Sequence, residues 1–136
     1  MLAQARQRVR DNHWKNVELV CADAAEYPFH ANVNGVLSNF ALILIPNCGQ
    51  VIANACKALV QGGRLSVMDM AWPDRLPVRW WWVMFWLKPL SVTRKTLESK
   101  PWETVWQAVE ETLEDVALKR FWYGFMYQIS GVRTNP

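Results

Sequence analysis

Val17-Glu18-Leu19-Val20-Cys21, Val36-Leu37-Ser38-Asn39-Phe40 and Arg64-Leu65-Ser66-Val67-Met68 are three short apolar runs within the stretch from Val17 to Asp69. Each has the length and residue types of a buried strand and ends at a polar residue or a turn. Between the second and third runs, Val51, Ile52, Ala55, Cys56 and Leu59 recur at helical spacing over Cys48 to Leu59, which predicts a helix with one apolar face. Gly62-Gly63 is the expected stop of that helix. After the first run, Asp23 stands three residues before Glu26, the spacing of a reciprocal cap on a short helix. Strands alternating with helices across short turns predict parallel pairing with helical crossovers. In such sheets ligands sit outside the carboxyl ends of the strands. Asp23, Asn39 and Asp69 fall at those ends.

Outward from this stretch, Leu2, Ala5 and Val9 give Met1 to Arg10 a helical period, with Asp11 and Asn12 ending it. On the other side, Val105, Trp106, Val109 and Leu113 predict an amphipathic helix over Trp102 to Leu113, with Pro101 suited to its first turn. Asp115 to Trp122 and Phe125 to Ser130, separated by Tyr123-Gly124, predict a terminal antiparallel hairpin. Residues 72–100 differ in character. Nine Trp occur in 136 residues, they concentrate after Asp69, and Trp80-Trp81-Trp82, Phe85 and Trp86 crowd one segment.

The length suits one domain. A net charge of +3, carried by scattered basic residues, argues against a nucleic-acid partner. Cys21, Cys48 and Cys56 lack paired metal spacing and are expected to be reduced, mostly buried thiols; no metal site is expected. His13 and His30 stand alone and are expected at the surface. The longest apolar run, Trp80 to Leu87, is far short of the roughly 20 residues a spanning helix needs, so the expected location is cytoplasmic, with membrane-peripheral contact left open.

Four pieces in order, Val17 to Ala24, Pro28-Phe29, Gly35 to Leu42 and Ala58 to Leu65, resemble the class I S-adenosylmethionine-dependent methyltransferases, most closely their small-molecule and lipid branch. Tyr123 to Gly131 is similar to that branch's last hairpin. The resemblance spans nearly the whole chain. It implies an α/β Rossmann-like methyltransferase sheet, with residues 1–136 forming one partial domain and residues 72–100 an aromatic cover or lid. Gln61 stands where the family usually has Pro, and Asn34 where it usually has Asp. The family's glycine-rich loop and its ribose-gripping carboxylate have no counterpart, and the position of Met1-Leu2 matches the point just after the second family strand. The expectation is therefore a sheet lacking its first two strands, with Val17 to Cys21 left without its neighbours.

The resemblance further implies S-adenosylmethionine as cofactor. Asp23 would accept from the adenine amino group beside the Ala24 amide, and Asn39 and Phe40 would line the methyl-transfer site. Asp69 would face the substrate, with Trp80, Trp81 and Phe85 covering it. The expected acceptor is a small apolar or lipid-like molecule. Plainer roles stand beside these: a helix cap for Asp23, loop and core packing for Asn39 and Phe40, a turn for Asp69, and packing or an interfacial patch for the Trp cluster, since three consecutive Trp cannot share one helical face. The other readings of the chain as a whole are a non-catalytic methyltransferase remnant, impaired by the missing glycine loop, and a membrane-surface interaction module.

Overall fold

The computed structural model describes residues 2–72 and 99–134. Along the chain these form α1 (Leu2–Asp11), β1 (Val33–Asn39), α2 (Cys48–Ala58), β2 (Leu59–Met70), α3 (Pro101–Thr112), β3 (Glu114–Phe121) and β4 (Met126–Val132). The strands make one sheet in the order β1-β2-β4-β3. β1 and β2 run parallel, joined by α2, while β4 is antiparallel to both β2 and β3. The expected parallel pair, crossover helix and terminal hairpin are all present.

Alternation along the strands decides which face is covered. Leu65, Val67 and Asp69 of β2 and Tyr127 and Ile129 of β4 are buried. All of these but Asp69 meet Val51, Ile52, Ala55 and Cys56 of α2 and Trp102, Val105 and Val109 of α3 in one apolar cluster. Gly131 is required at the edge of this cluster, because a Cβ there would stand 2.8 Å from Cβ of Leu113.

Three expectations are corrected. Val17 to Cys21 is extended but belongs to no strand; Val17 and Val20 are exposed, and among the described residues no hydrogen bond pairs this backbone. An apolar run becomes a strand only where a neighbour supplies partners for its amides and carbonyls, and the described residues supply none. Asp23 heads a single turn instead of a short helix: its Oδ1 accepts from the Ala25 amide at 2.8 Å, and its carbonyl accepts from the amides of Glu26 and Tyr27.

Gly62-Gly63, finally, does not stop α2. The helix ends at Ala58, where the Leu59 amide donates to the Cys56 carbonyl. Nη1 of Arg133 donates to the carbonyls of Cys56 at 3.2 Å and Lys57 at 2.7 Å, and also to that of Leu59. The glycines lie within β2, at a register shift between Val33↔Leu59 and Gly35↔Arg64. There Gly62 takes φ 75° and its amide donates to the Arg133 carbonyl at 2.7 Å.

Cys48 and Cys56 are buried, and Cys21, on the unpaired run, is exposed. α1 has no buried residue. Leu2, Ala5 and Val9 of that helix instead line a shallow groove of about 430 Å³ with Trp14, Val17 and Leu19.

Candidate functional site at the carboxyl rim of the sheet

The parallel strands end together. Asn39 is in register with Met68, and the next residue, Phe40, donates its amide to the Met68 carbonyl at 2.9 Å. Phe40 has φ 49°, a left-handed conformation unusual for a bulky side chain, and it turns the chain out of the sheet. Its ring is left 43% exposed. The Asn39 side chain is also exposed, and no hydrogen bond among the described residues uses its amide.

Asp69 lies at the same rim but points inward. It is 0% exposed. Its Oδ2 accepts from the Ile43 amide at 3.1 Å, its Oδ1 from the Met70 amide at 2.8 Å. Burial pushes its carboxyl up from the ordinary value, while the amides of Met70, Ile43, Leu42 and Ala41 pull it back. The carboxylate thus holds the helical turn Leu42–Leu44 against the end of β2. It faces that turn, and the position expected to meet substrate carries a backbone-binding group.

Tyr127 stands opposite Asp69 in the register of β2 and β4. Its phenol is pushed far up by burial, and then by the Asp69 and Cys48 charges, so it stays protonated. The ring meets Trp106 edge-on, with centroids 5.4 Å apart. Burial likewise raises the Cys48 thiol, whose Sγ lies 3.7 Å from the Pro101 carbonyl. Tyr127 was missed in the sequence, although the alternation Met126-Tyr127-Gln128-Ile129 already sets Tyr127 and Ile129 on one face.

Asp23 sits on a separate turn, exposed, with no hydrogen bond to Asn39, Phe40 or Asp69. That turn is tied to α2 by Asn54, whose Nδ2 donates to the Ala25 carbonyl at 3.1 Å, while Ala24 and Ala25 pack on the core. Asn39, Phe40 and Asp69 thus share the carboxyl end of the paired strands, and Asp23 and Ala24 stand on a turn of their own. Trp80, Trp81 and Phe85 lie outside the described residues. Among those described, no three His, Cys, Asp or Glu gather as metal ligands, and no helix is long and apolar enough to cross a membrane.

The four-stranded sheet is a parallel pair flanked by an antiparallel hairpin. Solved structures share it. The chain aligns over 99% of its length, and 41% of the other chain, with a phosphoethanolamine N-methyltransferase of Haemonchus contortus in complex with phosphomonomethylethanolamine and S-adenosylhomocysteine, at a TM-score of 0.75 and 14% identity. Against the S-adenosylmethionine-dependent methyltransferase SibL the TM-score is 0.66 at 20% identity, over 98% of this chain and 41% of that one.

Residues 1–119 match the family model described as a methyltransferase domain, and the chain belongs to that family, the class I S-adenosylmethionine-dependent methyltransferases. Demethylmenaquinone methyltransferases of Listeria welshimeri and Listeria monocytogenes are 33% identical to it over 75 residues, 54% of this chain. The chain spans about a third, 32%, of the length of these curated relatives.

Proposed function

We propose that this chain supplies the carboxyl-terminal part of an S-adenosylmethionine-dependent methyl-transfer site that acts on a small apolar or lipid-like acceptor. The observation that carries the reading is the rim itself. In a chain of this family, Asn39 and Phe40 end a parallel strand with an uncommitted side-chain amide and a half-exposed ring. The demethylmenaquinone relatives support an apolar acceptor. Asp23, with the Ala24 amide beside it, would hold the adenine, because one carboxylate oxygen remains for an outside donor while the other caps its own turn. Trp80, Trp81 and Phe85 would cover the acceptor.

When bound, the cofactor supplies an electrophilic methyl on a positively charged sulfur. What this chain contributes is alignment and exclusion of water. Asn39 orients by hydrogen bonding, and Phe40 gives the rim an apolar wall. Asp69 is no general base here, since both its oxygens are occupied by backbone amides; it keeps the turn behind Phe40 in place.

Asp23 keeps one carboxylate oxygen and Asn39 its side-chain amide outside any hydrogen bond among the described residues, which suits the adenine and methyl ends of the cofactor, while the family's ribose-gripping carboxylate has no counterpart in the sequence. That observation favours a second reading, in which these 136 residues alone do not hold the cofactor. One titration separates the two. Calorimetry of the purified chain with S-adenosylhomocysteine should show binding that Asp23→Ala weakens about tenfold, the usual scale for losing a charge-assisted bond. Binding indifferent to Asp23 removes its assigned role, and no heat at millimolar ligand leaves the non-catalytic reading.

A further inference from the structure

We propose that the tip of the β3–β4 hairpin docks this protein on an anionic lipid surface, through Trp122 and Tyr123 with Lys119 three residues before them on β3. Trp122 is 75% exposed and Tyr123 93%. These are the residue types that settle at the headgroup level of a bilayer, where the ring is apolar and its polar edge stays wet. Phe121, 40% exposed, adds a third ring just before them.

Charge is sorted along the same strand. Glu114 and Asp115 open β3, and Lys119 and Arg120 close it, so the acids stand roughly 25 Å from the tip at about 3.4 Å per residue. The Arg120 guanidinium is engaged over the Trp106 ring, 4.6 Å from its centroid. Among the described residues Lys119 has no carboxylate partner. The tip is thus aromatic and cationic, and the far end of the strand is acidic.

The backbone of the tip is strained as well. Trp122 and Tyr123 take φ 48° and 57° ahead of Gly124 at 93°, a left-handed run that disfavours bulky side chains. Folding therefore holds two large aromatic rings in an unfavourable conformation and leaves them in water, a combination found where strain serves a site. The tip of a two-stranded hairpin is too small for the roughly 800 Å² a stable protein interface needs on each side. Interfacial insertion needs only a few aromatic rings and a neighbouring cation.

Met70 is in register with Met126, and the Ala71 amide donates to the Phe125 carbonyl at 3.0 Å. The tip therefore shares the carboxyl end of β2 with the rim that carries Asn39, and a docked membrane would lie against that rim. Docking does not depend on methyl transfer.

Co-sedimentation of the 136-residue chain with vesicles of phosphatidylcholine, alone or mixed equally with phosphatidylglycerol, tests the proposal. The parent chain should bind the mixed vesicles. Trp122→Asn with Tyr123→Gly should bind them about tenfold more weakly, while melting at or above the parent temperature, because Asn and Gly accept the left-handed backbone. Lys119→Gln should lose about fivefold on the mixed vesicles and nothing on phosphatidylcholine alone. Absence of parent binding overturns the proposal, as does binding that the double variant leaves intact, which would place the contact elsewhere on the chain.

Discussion

Asp69 is the residue on which the rim depends, and its chemistry makes a pH prediction with a definite sign. A carboxyl buried at the end of β2 and held above its ordinary 3.8 binds its proton more tightly in the folded chain than in the unfolded one. Linkage then requires its contribution to stability to be complete below the ordinary carboxylate value and to fall as pH rises through the raised one. Asp69→Asn has no such titration. Urea unfolding of both proteins from acid to neutral pH should show the parent's advantage shrinking as pH rises; an advantage that grows with pH would mean that the amides of Ile43 and Met70 outweigh burial. In acid the substitution should cost about 1–3 kcal/mol, since an Asn side chain can accept only one of the two amide bonds and leaves the other donor buried. The position of Asp69 at a strand end was legible in the sequence. The direction of its side chain was not, because its partner at Ile43 is 26 residues away.

At the scale of elements, the legible parts were those fixed by local spacing. The apolar positions of α2 and α3 and the paired runs of β3 and β4 carry their own period, so their existence followed from the sequence to within a few residues. The misreadings share a different cause. Val17 to Cys21 has the composition of a strand but no partner, and Gly62-Gly63 has the look of a helix stop, but a residue beyond the far end of β4 ends the helix. Arg133 closes α2 through the carbonyls of Cys56 and Lys57 in its last turn and of Leu59 just after it, where a helix terminus leaves carbonyls short of intrahelical partners. Replacing it by Met keeps an apolar stem and removes the donors. Arg133→Met should lower unfolding free energy by about 1.5–3 kcal/mol, the range for hydrogen bonds from a charged group, with an unchanged denaturant slope. A loss below a few tenths of a kcal/mol would show that Leu59 and its amide suffice as the cap.

For the molecule as a whole, the open side of the sheet sets the behaviour. β4 lies between β2 and β3, and β2 between β1 and β4, but beyond β1 no described strand follows. The Phe40 amide points toward β2, where it meets the Met68 carbonyl. Alternation along a strand then turns the amides of Leu37 and Asn39 the other way. Leu37 is 76% exposed, so neither its amide nor its side chain is shielded. Parallel pairs are ordinarily covered on both faces and buried at their edges, and among the described residues no strand covers the outer edge of this one. Hydrogen exchange should therefore divide β1 within itself. Amides of Leu37, Asn39 and residues 17–21 should exchange close to the unfolded rate, while those of Val67 and Ile129, interior to the sheet, exchange only through larger openings. Protection of Leu37 and Asn39 equal to that of Val67 would contradict an open edge. If that protection faded on dilution, a second copy would be covering β1; if it held at every concentration, residues of the same chain would be doing so.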